Sequence, residues 1–255
     1  MNITTNRFIF LDFDGVLFDT VREVYAIAML ASGHITRASD VDYTSKHFEL
    51  FDKLRYLVGP AWNYYYLIRC IDNEKGGSMA SLKSEYKKFL DQSSRGDYTS
   101  FEESFFQARK QLRELDSVYW MSLIFPYSFV KNIRVLIDEF RNQFFIVTTR
   151  DRDSVLDLLR FHDLNILDSN IFTRKEHEIH GSKANLIQNL INKLQIDESI
   201  FVDDLEGHLG ACESIEKLST IQAKWGYVAP QIKEDNSPLL FKKLKMFIHG
   251  QKILL

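Results

Sequence analysis

A chain of 255 residues, 45% hydrophobic and 26% charged, has the composition of an ordinary globular protein, which excludes a disordered or fibrous one. It is long enough for one sizeable domain, or for a core domain with a smaller one inserted. A formal net charge of −3 offers no broad positive field to nucleic-acid phosphates, so nucleic acid is not expected as a main partner.

The segment Met1 to Arg7 lacks the basic region and long apolar core of a secretory signal. No apolar stretch approaches the roughly 20 residues that span a bilayer. Cys70 and Cys212 lie in apolar, helical-looking segments without a C-x-x-C spacing, and read as buried reduced thiols. Cytoplasmic residence and no membrane partner are the resulting expectations.

The first element, Phe8-Ile9-Phe10-Leu11, is a run of four bulky apolar residues, the pattern of a strand buried on both faces in a parallel sheet. It ends in Asp12-Phe13-Asp14-Gly15-Val16. In an open α/β sheet, ligands bind beyond the carboxyl ends of the strands, so these acids emerge at a candidate site. Gly15 permits a sharp exit and close approach of backbone N–H groups to a ligand.

Val21, Val24, Tyr25, Ala28 and Met29 recur at helical spacing up to Gly33. From about Ile35 to Phe125 the patterns are helical throughout. A helical pair around Leu54 to Ile68 is divided by Gly59-Pro60, and one apolar stripe is made by Met79, Leu82, Tyr86, Phe89 and Leu90. Another, of Phe101, Phe105, Ala108, Leu112 and Leu115, follows a capping box at Thr99 to Glu102, with turns expected at Gly76-Gly77 and Arg95-Gly96-Asp97. Trp62, Tyr64, Tyr65 and Tyr66 read as core of this helical unit.

From Pro126 helices and strands alternate: a helix around Val130 to Phe140, then Phe144-Phe145-Ile146-Val147 ending on Thr148-Thr149-Arg150. A helix carrying Val155, Leu158, Leu159 and His162 leads to a short strand at Asn170 to Thr173. Ser182 caps a helix with Leu186, Leu190 and Leu194, before Ile200-Phe201-Val202 runs into Asp203-Asp204. A helix near Gly207 to Lys217, a strand near Thr220 to Ala223 and a helix around Pro238 to His249 complete the chain. The expected fold class is α/β: a Rossmann-like parallel sheet with helices on both faces, residues 1–20 and 126–255, plus an inserted all-helical domain, residues 21–125.

Three apolar strands ending at Leu11, Val147 and Val202 thus deliver Asp12, Asp14, Thr148, Asp203 and Asp204 to one sheet edge. Two like charges about 4 Å apart cost on the order of 4 kcal/mol at an effective dielectric near 20. A hard divalent cation relieves that, and Mg²⁺, with its preference for oxygen ligands and phosphate-bearing substrates, is the natural choice. A metal-bound carboxylate can then approach an anionic phosphoryl group as a nucleophile. Asp14, offset from the strand axis, is placed to move the leaving-group proton. Thr148 supplies a hydroxyl and a backbone N–H to the phosphoryl oxygens, and Lys183, in the first turn of its helix, supplies positive charge.

Asp12-Phe13-Asp14-Gly15-Val16, Ile146-Val147-Thr148-Thr149, Lys183 and Phe201-Val202-Asp203-Asp204 resemble the four ordered motifs of the haloacid dehalogenase superfamily of aspartate-nucleophile phosphatases. The resemblance covers residues 1 to about 20 and about 126 to 230, and makes the helical insertion a cap that closes over the substrate. It implies Asp12 as nucleophile and Mg²⁺ ligand, and Asp14 as general acid/base that lends its backbone carbonyl to the metal. Thr148, Thr149, Lys183 and Gly15 would bind phosphate, with Asp203 and Asp204 completing the metal site. The sequence departs from the pattern in two places. Ala184 stands where a proline usually follows the lysine, leaving Lys175 as a rival to Lys183; Gly207 stands where many relatives have a further aspartate.

Arg150, Asp151 and Arg152 read as a charged surface loop, and His177 and His180 lack a third ligand in sequence for a zinc site. The leading expectation is a Mg²⁺-dependent phosphatase for a small phosphorylated metabolite. The alternatives are a phosphomutase of the same fold and a catalytically silent binding module. A dehalogenase is disfavoured because those relatives generally lack the second acid, here Asp14.

Overall fold

The computed structural model describes residues 6–74 and 76–251, with the side chains of Arg95 and Asp97 excepted. The segment read as lacking a secretory signal lies mostly outside them. The chain divides into two compact units, one of Met1–Asp19 with Phe125–Leu255 and one of Thr20–Ile124.

In chain order, β1 (Arg7–Leu11) and a two-residue β2 (Phe18–Asp19) precede α1 (Val21–Ala31), α2 (Lys46–Leu54), α3 (Asn63–Asp72), α4 (Met79–Asp91), α5 (Arg95–Leu115) and α6 (Ser117–Ser122). Then follow β3 (Phe125–Pro126), α7 (Ser128–Glu139), β4 (Phe144–Val147), α8 (Arg152–Phe161), β5 (Ile171–Phe172), α9 (Arg174–His180), α10 (Lys183–Lys193), β6 (Glu198–Asp203), α11 (Glu206–Gly210), β7 (Leu218–Gln222) and α12 (Ser237–Ile248).

Five strands form one parallel sheet in the order β5-β4-β1-β6-β7. The chain winds outward from β1 to β4 and β5, then returns to the other side of β1 for β6 and β7. That reversal leaves a crevice at the carboxyl end of the central strand. Because successive side chains alternate across a strand, Phe10, Phe145, Val147 and Phe201 share one face. They are buried there with Leu186, Ile187, Leu190 and Ile191 of α10 and with Leu209 and Cys212. α12 packs on β1 and against α7 on the other face. The register sets Leu11 level with Ile146 and with Val202, so the residues just past each of these strands are neighbours.

The first unit also pairs β2 with β3 in antiparallel fashion, Phe18 opposite Pro126 and Asp19 opposite Phe125. The pairing continues in the bond from Tyr127 N–H to Leu17 O, 3.0 Å. Two residues per strand carry no periodicity, which is why the sequence gives no sign of this ribbon. It joins the points where the chain leaves the sheet-bearing unit and comes back.

The second unit is helical, organised on α1, which buries Val21, Glu23, Val24, Tyr25, Ala26, Ile27 and Ala28. Tyr64 is stacked between Phe51 and Phe105, at 5.5 Å from each ring, and Trp62 on Tyr98 at 4.2 Å. These aromatics are packing residues of the helical unit, as the sequence suggested. Buried Glu23 accepts from Arg109 Nε at 2.7 Å, from Arg109 Nη2 at 3.2 Å and from Trp120 Nε1 at 3.1 Å.

Four local expectations are corrected. α5 starts at Arg95, so Arg95-Gly96-Asp97 is not a turn and Thr99 to Glu102 not a helix start: burial of the apolar face that begins at Phe101 and Phe105 outweighs the weak helix propensity of the residues around Gly96. Leu115, assigned to the α5 stripe, is 86% exposed. The helix expected from Gly207 to Lys217 stops at Gly210, where two glycines within four residues weaken it. α9 went unforeseen although its signal was legible: Thr173 and Glu176 form a reciprocal capping box.

Candidate functional site

Asp12 is the first residue past β1, and its N–H donates to Val202 O at 2.9 Å, holding it level with Asp203 at the end of β6. Asp12 and Asp203 are 5% and 0% exposed. Lys183, the first residue of α10, is held there by Ser182, whose Oγ accepts from Asn185 N–H at 3.1 Å. Its Nζ lies 2.8 Å from Asp12 Oδ2 and 2.8 Å from Asp203 Oδ2. Lys175 is exposed on α9, so of the two rival lysines it is Lys183 that stands among the acids.

Asp203 is held on both oxygens. Oδ1 accepts from Leu205 N–H at 2.8 Å, and His208 Nδ1 lies 3.0 Å from Oδ2. His208, on α11, is a site residue the sequence reading missed; it sits one position past the glycine that drew attention. By contrast, no described residue donates to Asp12 Oδ1.

Burial, reinforced by the Asp203 charge, pushes the Asp12 carboxyl up to about 6 in spite of Lys183. The same burial disfavours ionisation of Asp203, but Lys183 and His208 outweigh it and hold that carboxyl below the usual range. Burial opposes the Lys183 charge in turn, and the two carboxylates overcome this and hold its ammonium above the ordinary lysine range.

Asp204, 1% exposed, faces differently from its neighbour because adjacent residues of an extended segment point to opposite sides. Its Oδ2 accepts from Tyr227 N–H at 2.6 Å, and its carbonyl from Gln222 Nε2 at 2.9 Å. The carboxylate rests against Gly15, where φ is +85° and a Cβ would meet Asp204 Oδ2 at 2.1 Å. Gly15 is therefore required both by its backbone conformation and by the space that Asp204 fills.

Thr148 is buried at the end of β4, its Oγ1 accepting from Arg150 N–H at 3.2 Å; its N–H, expected to reach the phosphoryl oxygens, is instead bonded to Phe172 O at 3.0 Å, because the β4–β5 ladder continues through it. The hydroxyl keeps its own hydrogen to donate. Thr149 is half-buried beside it. Arg150 is a correction: expected on a surface loop, it is 1% exposed, with Nη1 2.9 Å from Asp14 Oδ1. Asp151 caps α8 by accepting from Ser154 N–H at 3.0 Å. Arg152 donates to Ile171 O and Asp168 O, both at 2.8 Å. Each residue of this run has a fixed partner, and for Arg150 it is 136 positions away, which a run of three charges does not reveal.

Among the described residues, the ligand atoms of Asp12, Asp203 and His208 lie within 4.8 Å of one another. Three buried acids, Asp12, Asp203 and Asp204, stand with one buried lysine. A divalent cation fits that surplus of negative charge and that donor set, two carboxylates and an imidazole. A cation there would act on Asp12 in the direction opposite to burial. His177 and His180 on α9 belong to no such cluster among the described residues. Cys70 and Cys212 are buried free thiols, raised by burial to about 12 and about 11. No helix of the described residues is long and apolar enough to cross a membrane.

No protein-family model matches the chain, and no curated protein matches it in sequence. Solved structures do. A predicted phosphatase from Clostridium acetobutylicum is 12% identical and aligns over 95% of this chain and 99% of its own, with a TM-score of 0.61. A predicted phosphoglycolate phosphatase from Haemophilus somnus is 15% identical over 95% and 100%, TM-score 0.57. A haloacid dehalogenase-like family hydrolase from Streptococcus pneumoniae is 13% identical over 97% and 99%, TM-score 0.53. The chain has the α/β fold of the haloacid dehalogenase-type hydrolases.

Proposed function

We propose that this protein is a Mg²⁺-dependent phosphoric monoester hydrolase that works through an aspartyl phosphate on Asp12. The observation that carries the reading is the state of Asp12: a buried carboxylate at the end of the central strand, with Lys183 on Oδ2 and no described donor on Oδ1. An anion so placed is oriented for attack by one oxygen while a fixed ammonium offsets the charge of an incoming phosphoryl group. The shared fold with proteins described as phosphatases supports the same reading.

In the first step an Asp12 oxygen bonds to phosphorus as the bond to the leaving oxygen breaks, and the carboxyl proton of Asp14 passes to that oxygen. In the second, Asp14 takes a proton from a water whose oxygen bonds to phosphorus as the Asp12 O–P bond breaks, releasing phosphate and restoring Asp12. Thr148, through its hydroxyl, and the Thr149 backbone bind the phosphoryl oxygens, with Lys183 supplying the balancing charge; the Gly15 N–H, expected to join them, is donated to Phe18 O at 2.9 Å. Asp12, Asp203 and the Asp14 carbonyl would hold Mg²⁺, with His208 beside them, whereas Asp204, expected among the ligands, accepts the Tyr227 amide and fills the space over Gly15; when bound, the ion would neutralise phosphoryl charge.

The helical unit, Thr20–Ile124, acts in this reading as the cap that selects a small phosphorylated metabolite, and the two reduced thiols suit a cytoplasmic enzyme. The test is release of nitrophenol from p-nitrophenyl phosphate with Mg²⁺, with capture of labelled phosphate on the protein by acid quench. Chelation and Asp12→Asn should each abolish turnover, and the substitution should also abolish labelling. Turnover that survives Asp12→Asn would overturn the mechanism.

A further inference from the structure

Arg150 presents a problem that the reaction above leaves open. A guanidinium is almost never fully buried unless it is paired, and this one is buried beside the acid to which proton transfer is assigned. Its Nε donates to Ser154 Oγ at 2.9 Å. Ser154 Oγ also lies 2.8 Å from Asp151 Oδ2, and Ser154 N–H donates to Asp151 Oδ1 at 3.0 Å, so the Nε end is anchored to the capped first turn of α8. The backbone is pinned as well: Arg150 O accepts from Arg174 N–H at 3.0 Å, and its own N–H donates to Thr148 Oγ1 at 3.2 Å. With the backbone and Nε so held, Nη1 lies 2.9 Å from Asp14 Oδ1. Asp14 is the accessible partner, its side chain 18% exposed against 0% for Arg150. The rigid, buried cation thus holds the partly exposed acid.

We infer that Arg150 is a positioning residue for proton transfer, setting where the Asp14 carboxyl stands relative to the leaving oxygen. This inference rests on the phosphatase reading of the site. A planar guanidinium fixed at one end defines the orientation of a carboxylate, whereas a lysine at the same position brings a point charge without that geometry. Positioning by Arg150 therefore predicts a loss specific to substrates that need the proton.

The test is a series of para-substituted phenyl phosphates, from nitro to methoxy, with Mg²⁺ present. Nitrophenolate leaves without a proton, and the more basic phenolates need one. For Arg150→Met, kcat/KM should fall by about tenfold or more on the methoxy compound and by less than about threefold on the nitro compound, within the range general acid catalysis contributes. Asp14→Asn should show the same signature. The double variant Asp14→Asn with Arg150→Met should be no slower than Asp14→Asn alone, because two residues acting through one proton are not additive. Equal losses across the series, or a double variant slower by the product of the two single losses, would overturn the inference and leave Arg150 a packing residue. If Arg150→Met does not fold, Ser154→Ala and Arg150→Lys carry the test, with thermal unfolding measured alongside. Each should steepen the dependence on the leaving group, and an unchanged dependence in both overturns the inference. A wild type inert on the whole series overturns the phosphatase reading and this inference together; an active wild type with unaltered variants overturns the inference alone.

Discussion

Lys183 Nζ stands 2.8 Å from Asp12 Oδ2, and this contact ties the first residue of α10 to the first residue past β1. With Asp203 equally close, one ammonium joins the ends of two adjacent strands. Lys183→Met leaves two buried carboxylates facing each other. Removing one partner of a buried ion pair costs about 3–5 kcal/mol, so the variant should melt well below the wild type. Its Tm should rise more with added Mg²⁺ than the wild type's does, since a cation can replace part of the missing charge. A variant as stable as the wild type in chelator would contradict this account of the site.

The packing of three residues predicts a steric effect. A Cβ at Gly226 would lie 2.2 Å from Gly15 O and 2.7 Å from Asp204 Cβ, both parts of the site that cannot swing aside as a long side chain can. Gly226→Ala should lower Tm and phosphatase activity together by displacing the turn after Asp12. Gly210→Ala, with nothing within 4 Å of the new Cβ, is the control and should be neutral or stabilising by up to about 1 kcal/mol.

In the helical unit, Glu23 depends on Arg109 and Trp120. Arg109→Met strands a fully buried carboxylate and should destabilise by about 3–5 kcal/mol. The double substitution Glu23→Gln with Arg109→Met should recover part of that loss, because no uncompensated charge remains. Thermal unfolding of the two variants side by side decides it; a double variant less stable than Arg109→Met would count against the pairing as described.

Stability should depend on pH between about 7 and 5. Burial is the main cause that depresses His47, His162 and His177. A histidine depressed in the folded state binds its proton more readily when unfolded, so its effect is to destabilise as pH falls below the unfolded value near 6.5. Asp12 has the opposite sign: raised to about 6, it binds a proton more readily when folded and stabilises as pH falls through that value. Asp12→Asn removes the opposing group, so its Tm should drop more steeply than the wild type's between pH 7 and 5 in chelator. Parallel Tm curves would show that the raised Asp12 does not exist in solution.

What the sequence determined by itself is whatever short-range pattern specifies. Four apolar residues before Asp12, four before Thr148 and three before Asp203, each run too short for a helix and alternating with helical patterns, read as strands of a sheet buried on both faces, and so all three strand ends and the α/β class were legible. Ser182 before an amphipathic run placed Lys183 at a helix start in the same way. The capping box at Thr173 was equally available and went unread. Only the tertiary structure decided the partners that share no local pattern. Arg150 meets Asp14 across 136 positions of chain, and Asp204 is received by Gly15 and by the Tyr227 amide. His208 reaches Asp203 because α11 turns back on β6. A charged residue in a loop looks the same in sequence whether it faces water or a buried carboxylate. The difference lies in which strand the sheet order sets beside it, and here that order places β1 between β4 and β6.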